Sequence, residues 1–260
     1  MCDVSSIIRS FNRFELKYLL SLEAARAFRK EITTYLQPDS HANGDGFYTV
    51  SSLYYDSADY RCYWEKLEGL KFRRKLRIRH YETQAVLTPD SPVFVEVKQR
   101  LNRVTQKRRV VMAYREALAL CDERALPNEA AAGSLAEQPL NRAVVEEIHA
   151  MLWQQDLRPA SVISYFRQAF VGTDHDLGLR VTFDTHLRYR VHDLTLHAKG
   201  IDRFMLPPDR VIMEVKVNER VPYWLTELVA AHNFRLIRVS KYCQSLEAAQ
   251  RVPRSRYHIV

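Results

Sequence analysis

Lys71-Phe72-Arg73-Arg74-Lys75-Leu76-Arg77-Ile78-Arg79-His80-Tyr81 interleaves cations with apolar and aromatic residues at a spacing of two. Successive side chains of a strand point to opposite faces, so Arg73, Lys75, Arg77 and Arg79 share one face while Leu76 and Ile78 share the other. Four cations in a row repel one another. Such a row is tolerated when it faces water or when an anion fills the space before it. Taken alone, a basic strand reads as a solvated face. The stretches on either side change that reading.

The pattern recurs along the chain. Phe14, Leu16 and Tyr18 alternate with Arg13, Glu15 and Lys17. Val93, Val95 and Val97 oppose Glu96, Lys98 and Arg100. Leu179, Val181, Phe183 and Leu187 oppose Arg180, Thr182, Asp184, His186 and Arg188, and Val211, Met213, Val215 and Val217 oppose Glu214 and Lys216. Further strands are predicted at 47–55, at 104–111 as the hairpin partner of 93–100, at 160–170 with Tyr165 and Arg167 on one face, and at 234–239. Helices are predicted from Ser21 to about Leu36, from Asp56 or Ser57 to Leu67 with Gly69 as the stop, from Arg115 to Cys121, from Asn141 to Gln155, from Pro222 to about His232, and from Ser245. Residues 126–139, rich in Ala, Gly, Ser and Pro, read as a mobile surface loop.

Composition narrows the class. The 260 residues are 47% hydrophobic, enough for a substantial core, and are read as one domain over 1–260 with its core at about 12–250. Lys and Arg number 39 against 31 Asp and Glu, giving a formal charge of +8 and a pI near 9.3, which favours an anionic partner. The four cysteines lie far apart with no C-x-x-C pair, so neither a zinc site nor a disulfide framework is expected, and a reducing cytoplasm fits. No apolar run is long enough for a bilayer span, and the first residues lack the pattern of a secretory signal. With seven glycines and no Gly-rich loop, neither a P-loop nor a Rossmann site is expected. The aromatics form no RNP-like pattern, so nucleic acid is not expected as a partner.

Many strands that are apolar on one face and cationic on the other would suit an α+β fold: a closed antiparallel β-barrel with helices packed on the apolar outside. The cations would then line a cavity, which requires a polyanion inside it. Phosphate chains match guanidinium forks in pairs, and carboxylates within the same lining suggest Mn²⁺ or Mg²⁺ bridging carboxylate to phosphate.

The residues that carry this pattern also carry a family resemblance. Glu15, Lys17 and Tyr18; Arg77-Ile78-Arg79-His80-Tyr81; Glu96-Val97-Lys98; Tyr165 with Arg167; Arg180-Val181-Thr182-Phe183-Asp184; Glu214-Val215-Lys216; and Ser240-Lys241 together resemble the VTC (vacuolar transporter chaperone type) domain. That domain is the polyphosphate polymerase branch of the triphosphate tunnel metalloenzymes, which also include CYTH-type triphosphatases. The resemblance implies the triphosphate tunnel fold. It places phosphate ligands on Lys17, Arg77, Arg79, Lys98, Arg167, Arg180, Ser240 and Lys241, with a further lysine at Lys107 in preference to Arg108 or Arg109. Tyr165 and Lys216 are expected to contact substrate, and Glu214 to bind the metal. Glu15 and Glu96 are read either as further metal ligands or as carboxylates that orient the neighbouring lysine.

Other charged residues keep blander readings. Asp184 is expected to hold Arg180 or Arg188 rather than a metal. Arg73, Arg74 and Lys75 are read as surface or tunnel rim, and His80 and His186 as polar lining or surface. The implied activity is metal-dependent transfer of the ATP γ-phosphate to a growing inorganic polyphosphate chain. The alternatives are a triphosphatase acting in the same tunnel and a non-catalytic polyphosphate-binding module. The expected partners are ATP or another nucleoside triphosphate and inorganic polyphosphate. There is room for a separate membrane protein that would hold this cytoplasmic chain at the inner face of a membrane.

Overall fold

The computed structural model describes residues 14–39, 47–82, 87–102, 104–127, 139–173, 176–198, 202–218 and 220–252. The strands are β1 (Phe14–Ser21), β2 (Leu36–Pro38), β3 (Phe47–Asp56), β4 (Phe72–Glu82), β5 (Pro92–Leu101), β6 (Val104–Ala113), β7 (Arg158–Gly172), β8 (Arg180–Arg190), β9 (Arg203–Phe204) and β10 (Arg210–Val217). The helices are α1 (Leu22–Ile32), α2 (Arg61–Leu67), α3 (Tyr114–Cys121), α4 (Pro139–Gln154), α5 (Tyr223–Ala231) and α6 (Lys241–Ala248). Residues 128–138 of the segment read as a mobile loop are not among those described, and Pro139 already belongs to α4.

Every ladder is antiparallel, and the order runs β1-β10-β8-β7-β3-β4-β5-β6, with β2 added to β7 and β9 to β8. The α+β class with an antiparallel sheet is therefore as expected, whereas closure of the barrel is corrected: among the described residues no ladder joins β1 to β6. The physical reason lies at the free edge of β1. There the Ile237 N–H donates to the Lys17 carbonyl at 2.8 Å, and Tyr18 forms an isolated bridge with Leu236. That contact also corrects the strand predicted at 234–239, which forms no ladder and pairs its backbone with β1 only at this isolated bridge and the adjoining Ile237 bond. The sheet nevertheless curls until side chains span the seam, where Lys98 Nζ of β5 lies 3.1 Å from Glu15 Oε2 of β1.

Alternation explains the two sides. On the convex side Leu76, Ile78, Val95, Val97 and Val110 pack with Ala117 and Leu120 of α3 and with Ile148 and Leu152 of α4. A second apolar group joins Val181, Phe183, Met213 and Val215 to Phe28 and Ile32 of α1 and Leu225 of α5. Each such aliphatic side chain contributes roughly 2 kcal/mol by leaving water. The charged alternate positions are left on the concave side.

Local chemistry sets the helix limits. Ser21 Oγ accepts from the Ala24 N–H at 3.1 Å and starts α1, and Arg29 and Lys30 in the last turn complement the helix dipole. The helix ends at Ile32 rather than near Leu36. Leu36–Pro38 instead pairs with Phe170–Gly172 of β7, on an edge where the missing N–H of Pro38 costs nothing. Ser240 caps α6, which therefore starts at Lys241 and not at Ser245.

Helix α6 crosses one end of the concave face. Ser161 Oγ and Ser245 Oγ are 2.8 Å apart, and the Tyr242 ring stacks on Tyr54 with centroids 5.2 Å apart. Asp56, buried at the end of β3, fastens this arrangement. Its carboxylate accepts from the N–H groups of Ser57 (2.8 Å), Cys62 (2.8 Å) and Tyr63 (3.2 Å), and from the Tyr242 hydroxyl. One carboxylate thus satisfies the start of α2 and ties α6 to the sheet. Asp56→Ala is expected to lower the unfolding free energy by about 3–5 kcal/mol, because it strands several buried donors, and Tyr242→Phe by about 1–2 kcal/mol. Urea unfolding followed by circular dichroism checks both values.

Candidate active site

Strand register brings the expected residues to one face. Glu15 and Lys17 of β1 pair with Lys216 and Glu214 of β10, which in turn pair with Arg180 and Thr182 of β8. Asp184 pairs with Arg167 of β7, Arg167 with Tyr48 of β3, and Tyr54 with Arg77 of β4. Arg77 pairs with Glu96 of β5, and Lys98 with Lys107 of β6. Tyr165 and Arg79 occupy the same face two residues from Arg167 and Arg77, and Ser240 and Lys241 arrive at its end with α6.

Two buried carboxylates form the centre of the site. Asp184 accepts from Arg167 Nε (2.6 Å) and Nη2 (2.7 Å), and its Oδ2 lies 2.6 Å from Lys241 Nζ. The pairing expected with Arg180 or Arg188 is therefore corrected, because Arg167 sits directly across the ladder from Asp184. Glu214 meets Lys241 at 2.7 Å, Lys216 at 3.2 Å, and Lys17 and Arg167 at 3.5 Å. Burial alone would raise both carboxyl pKa values. Arg167 and Lys241 instead hold Asp184 below the usual carboxylate range, and Lys241, Lys17 and Lys216 hold Glu214 well below it. Burial brings Lys216 down to about 8 even with Glu214 beside it, whereas Asp184 and Glu214 hold Lys241 above the ordinary lysine range against the same burial.

Glu96 organises a second group. It accepts from Arg77 Nε at 2.8 Å and Arg77 Nη2 at 2.7 Å, and lies 3.2 Å from Lys107 Nζ. Lys107 is thus the lysine that reaches the site. Arg108 points to the convex side and pairs with Glu147 at 2.5 Å, and Arg109 lies over the Phe94 ring. Glu15 bridges Lys17 and Lys98, each at 3.1 Å. Arg180 is tied to Asp39 at 2.6 Å and to the Tyr48 hydroxyl at 2.9 Å.

Arg79 differs from all of these. It is 6% exposed, and its partners are the neutral oxygens of Ser52 (3.0 Å), Tyr165 (3.3 Å) and Tyr81 (3.5 Å).

Some members of the site were missed in the sequence. Lys75, read as surface or rim, turns inward, with Nζ 3.4 Å from Ser240 Oγ and over the Tyr242 ring. Asp39 and the tyrosines at 48, 54 and 81 also belong to the site. The signal available was the even spacing that puts Tyr48, Ser52 and Tyr54 on one face of a strand read only as β-forming. His80, by contrast, is buried on the opposite face with Ile78, and among the described residues both its ring nitrogens are without partners, so it does not line the site. His186 meets Phe166 edge to face.

The donor set fits a hard divalent cation that arrives with phosphate oxygens. Among the described residues no three His, Cys, Asp or Glu side chains converge into a preformed cage. Mg²⁺-like ions are held by one or two carboxylates plus substrate phosphates, and Glu214 with Glu15, joined through Lys17, supplies that number. Glu96 is 1% exposed and enclosed by Arg77 and Lys107, so its geometry suits orientation of those cations.

Comparison with known proteins places the chain among relatives. The sequence profile described as the VTC domain matches residues 12–250. The chain is similar to vacuolar transporter chaperone complex subunit 4 of Trypanosoma brucei brucei, 29% identical over 225 residues covering 76% of this chain and 28% of that protein. It is also similar to the same subunit of Trypanosoma cruzi, 25% identical over 225 residues with the same coverage. The chain therefore spans little more than a quarter of those relatives. Among solved structures it is similar to a Hippeastrum protein described as an adenylyl cyclase candidate with a dominant triphosphatase activity. The TM-score is 0.51 and the identity 14%, over 92% of this chain and 95% of that one, which is a likeness of fold.

The buried pairs make stability depend on acid. Carboxylates held below their unfolded pKa contribute stability that is complete above about pH 4.5 and lost as pH falls through the lower folded values. The urea midpoint is expected to drop steeply between pH 5 and pH 3. Asp184→Asn should cost about 3–5 kcal/mol at pH 7, since Arg167 and Lys241 lose their counter-charge, and should flatten the acid limb. Urea titrations at several pH values measure both effects.

Proposed function

The chain belongs to the VTC domain family, and we propose that it is a polyphosphate polymerase that transfers the γ-phosphoryl group of ATP to the end of an inorganic phosphate chain. The observation that carries this reading is Arg79, a buried guanidinium whose partners among the described residues are all neutral oxygens. Glu96 acts on Arg79 only at a distance, and a buried cation with no carboxylate in direct contact is costly, so a phosphoryl oxygen supplies the contact that Arg79 lacks. Around it the cations Arg77, Arg167, Lys241, Lys17 and Lys216 outnumber the carboxylates Glu96, Asp184, Glu214 and Glu15. The face is thus set for an anion of several charges.

In the proposed step a terminal oxygen of the acceptor phosphate forms a bond to the γ-phosphorus. The bond from that phosphorus to the bridging oxygen breaks, and its electron pair leaves with ADP. The acceptor is itself the nucleophile, so the protein supplies position and charge. Arg79, Arg77 and Arg167 present guanidinium N–H groups to equatorial oxygens, where charge is spread in the transition state. Lys241 and Lys17, which both reach Glu214, would offer ammonium charge to a leaving or attacking oxygen. Glu214, with Glu15, would hold Mn²⁺ or Mg²⁺, which when bound adds positive charge between the phosphates. Asp184 fixes Arg167 and Lys241 in place. By the same reading the chain works on the cytoplasmic side beside a separate membrane protein, as a subunit of a complex like its relatives. Among the described residues no helix is long and apolar enough to cross a membrane.

Incubation with ATP and Mn²⁺, resolved on a polyacrylamide gel, is expected to give ADP and phosphate chains longer than three units, with a short polyphosphate primer shortening any lag. Stoichiometric orthophosphate without chains would instead identify a triphosphatase. Binding without turnover would identify a polyphosphate-binding module. Glu214→Gln should lower turnover by about two orders of magnitude with the fold intact. Triphosphate should raise the melting temperature of the wild type and of Arg74→Ala, whose side chain faces Glu147 on the convex side, but only weakly that of Arg79→Ala.

A further inference from the structure

We propose that the hydroxyls of Tyr54, Tyr81 and Tyr48 are phosphate-binding donors, each polarised by the arginine beside it, with Tyr54 the strongest of the three. The inference rests on the phosphate-binding reading above. A phenol has one proton to donate and lone pairs with which to accept. Tyr54 Oη accepts from Arg77 Nη1 at 2.9 Å, Tyr48 Oη from Arg180 Nη2 at 2.9 Å, and Tyr81 Oη from Arg79 Nη1 at 3.5 Å. In each case the accepting side is used, and no described residue takes the proton.

Tyrosines elsewhere in the fold show the alternative. Tyr55 donates to Asp122 at 2.6 Å, Tyr63 to Glu247 at 3.1 Å, and Tyr242 to Asp56. Those hydroxyls end on carboxylates, whereas Tyr54, Tyr81 and Tyr48 accept from arginines on the concave face and hydrogen-bond to no carboxylate among the described residues. Buried donors are as a rule satisfied, so the missing partner is an acceptor. The non-bridging oxygens of a phosphate chain only accept. A hydroxyl that already receives a bond from a guanidinium is also a stronger donor to them.

Tyr54 is the most firmly placed of the three. Its ring stacks on Tyr242, and its arginine is fixed from the other side by Glu96. The charged and titratable groups facing it are Arg77 and Arg79 from β4, and Lys241 and Tyr242 from α6. Burial pushes the Tyr54 phenol up, but Arg77 and Arg79 outweigh burial and bring it down to about 8. Ionisation removes the donor and puts a negative charge before the phosphate. The neutral phenol is the binding form, so affinity should be complete below about pH 8 and fall above it, by up to about tenfold per pH unit.

Isothermal titration with inorganic tripolyphosphate in EDTA, at pH 7 and pH 9.5, tests this on the wild type, Tyr54→Phe and the off-site control Tyr55→Phe. Tyr54→Phe is expected to bind about tenfold more weakly at pH 7 and to lose less affinity between pH 7 and pH 9.5 than the wild type. The comparison cancels the titration of the ligand and that of Lys216, both of which persist in the variant. Tyr55→Phe should keep the wild-type profile. Equal affinities and equal pH profiles for Tyr54→Phe and wild type would overturn the donor role while leaving phosphate binding intact. Absence of wild-type binding would overturn the phosphate reading itself. If Tyr54→Phe does not fold, Tyr81→Phe decides at pH 7: about tenfold weaker binding supports the donor row, and unchanged binding rejects it.

Discussion

A buried cation needs a counter-charge or enough hydrogen-bond acceptors, and the concave face of this sheet holds more cations than carboxylates. The carboxylates are therefore shared. Glu214 serves Lys241, Lys216, Lys17 and Arg167, while Asp184 serves Arg167 and Lys241. Where the carboxylates run out, tyrosine and serine oxygens take their place, and among the described residues Arg79 hydrogen-bonds to these alone. Arginine suits the deepest positions because its charge is spread over a weakly hydrated plane with several donors. Lys98 and Lys107, with side chains 43% and 41% exposed, stay near water at the rim.

That imbalance is tolerable only because the opposite side of each strand is secured. Apolar alternate residues pack under α1, α3, α4 and α5, so the energy that holds the sheet comes from the convex side. On the concave side the fold needs only to place charges, and Asp56 shows how few contacts this takes. By joining β3, the start of α2 and Tyr242, it sets α6 across the end of the sheet, which delivers Lys241 to Asp184 and Glu214.

The strand pattern was legible because the period of two marks both faces at once, and the row Arg77, Arg79, Glu96, Lys98, Glu214 and Lys216 follows from that period alone. Closure was not legible. It depends on which chain takes the free edge of β1, and Ile237 does so through backbone atoms that carry no side-chain signature. Pairings across ladders were equally hidden: Asp184 looked like a partner for Arg180 in its own strand, but register sets it opposite Arg167, and Arg180 finds Asp39 instead. Lys75 looked like surface because it stands at the start of a basic run. Only the docking of α6 gives it Ser240 and Tyr242 as neighbours. The tyrosines were missed for a different reason, since in a strand they count as β-formers whichever way their hydroxyls point.

The shared carboxylates give the proposed reaction an internal logic. A Glu214 oxygen now bonded to Lys241 or Lys216 is available to a hard cation only when that ammonium has found another anion. Phosphate oxygens are such anions, so on the proposed reading triphosphate would free the carboxylate as it occupied the lysines. Coupling of this kind is reciprocal, and a divalent cation on Glu214 would in turn release the lysines to phosphate. The two ligands are therefore expected to assist each other. The carboxylates that stabilise the fold are the same groups that phosphate would have to displace in part, so the ion pairs of the concave face would both stabilise the fold and oppose phosphate binding. Arg79 stands outside this exchange, because among the described residues it makes no direct ion pair to give up. It is the position at which an incoming phosphate gains a charge partner without breaking an ion pair, and on that ground it is where binding would begin.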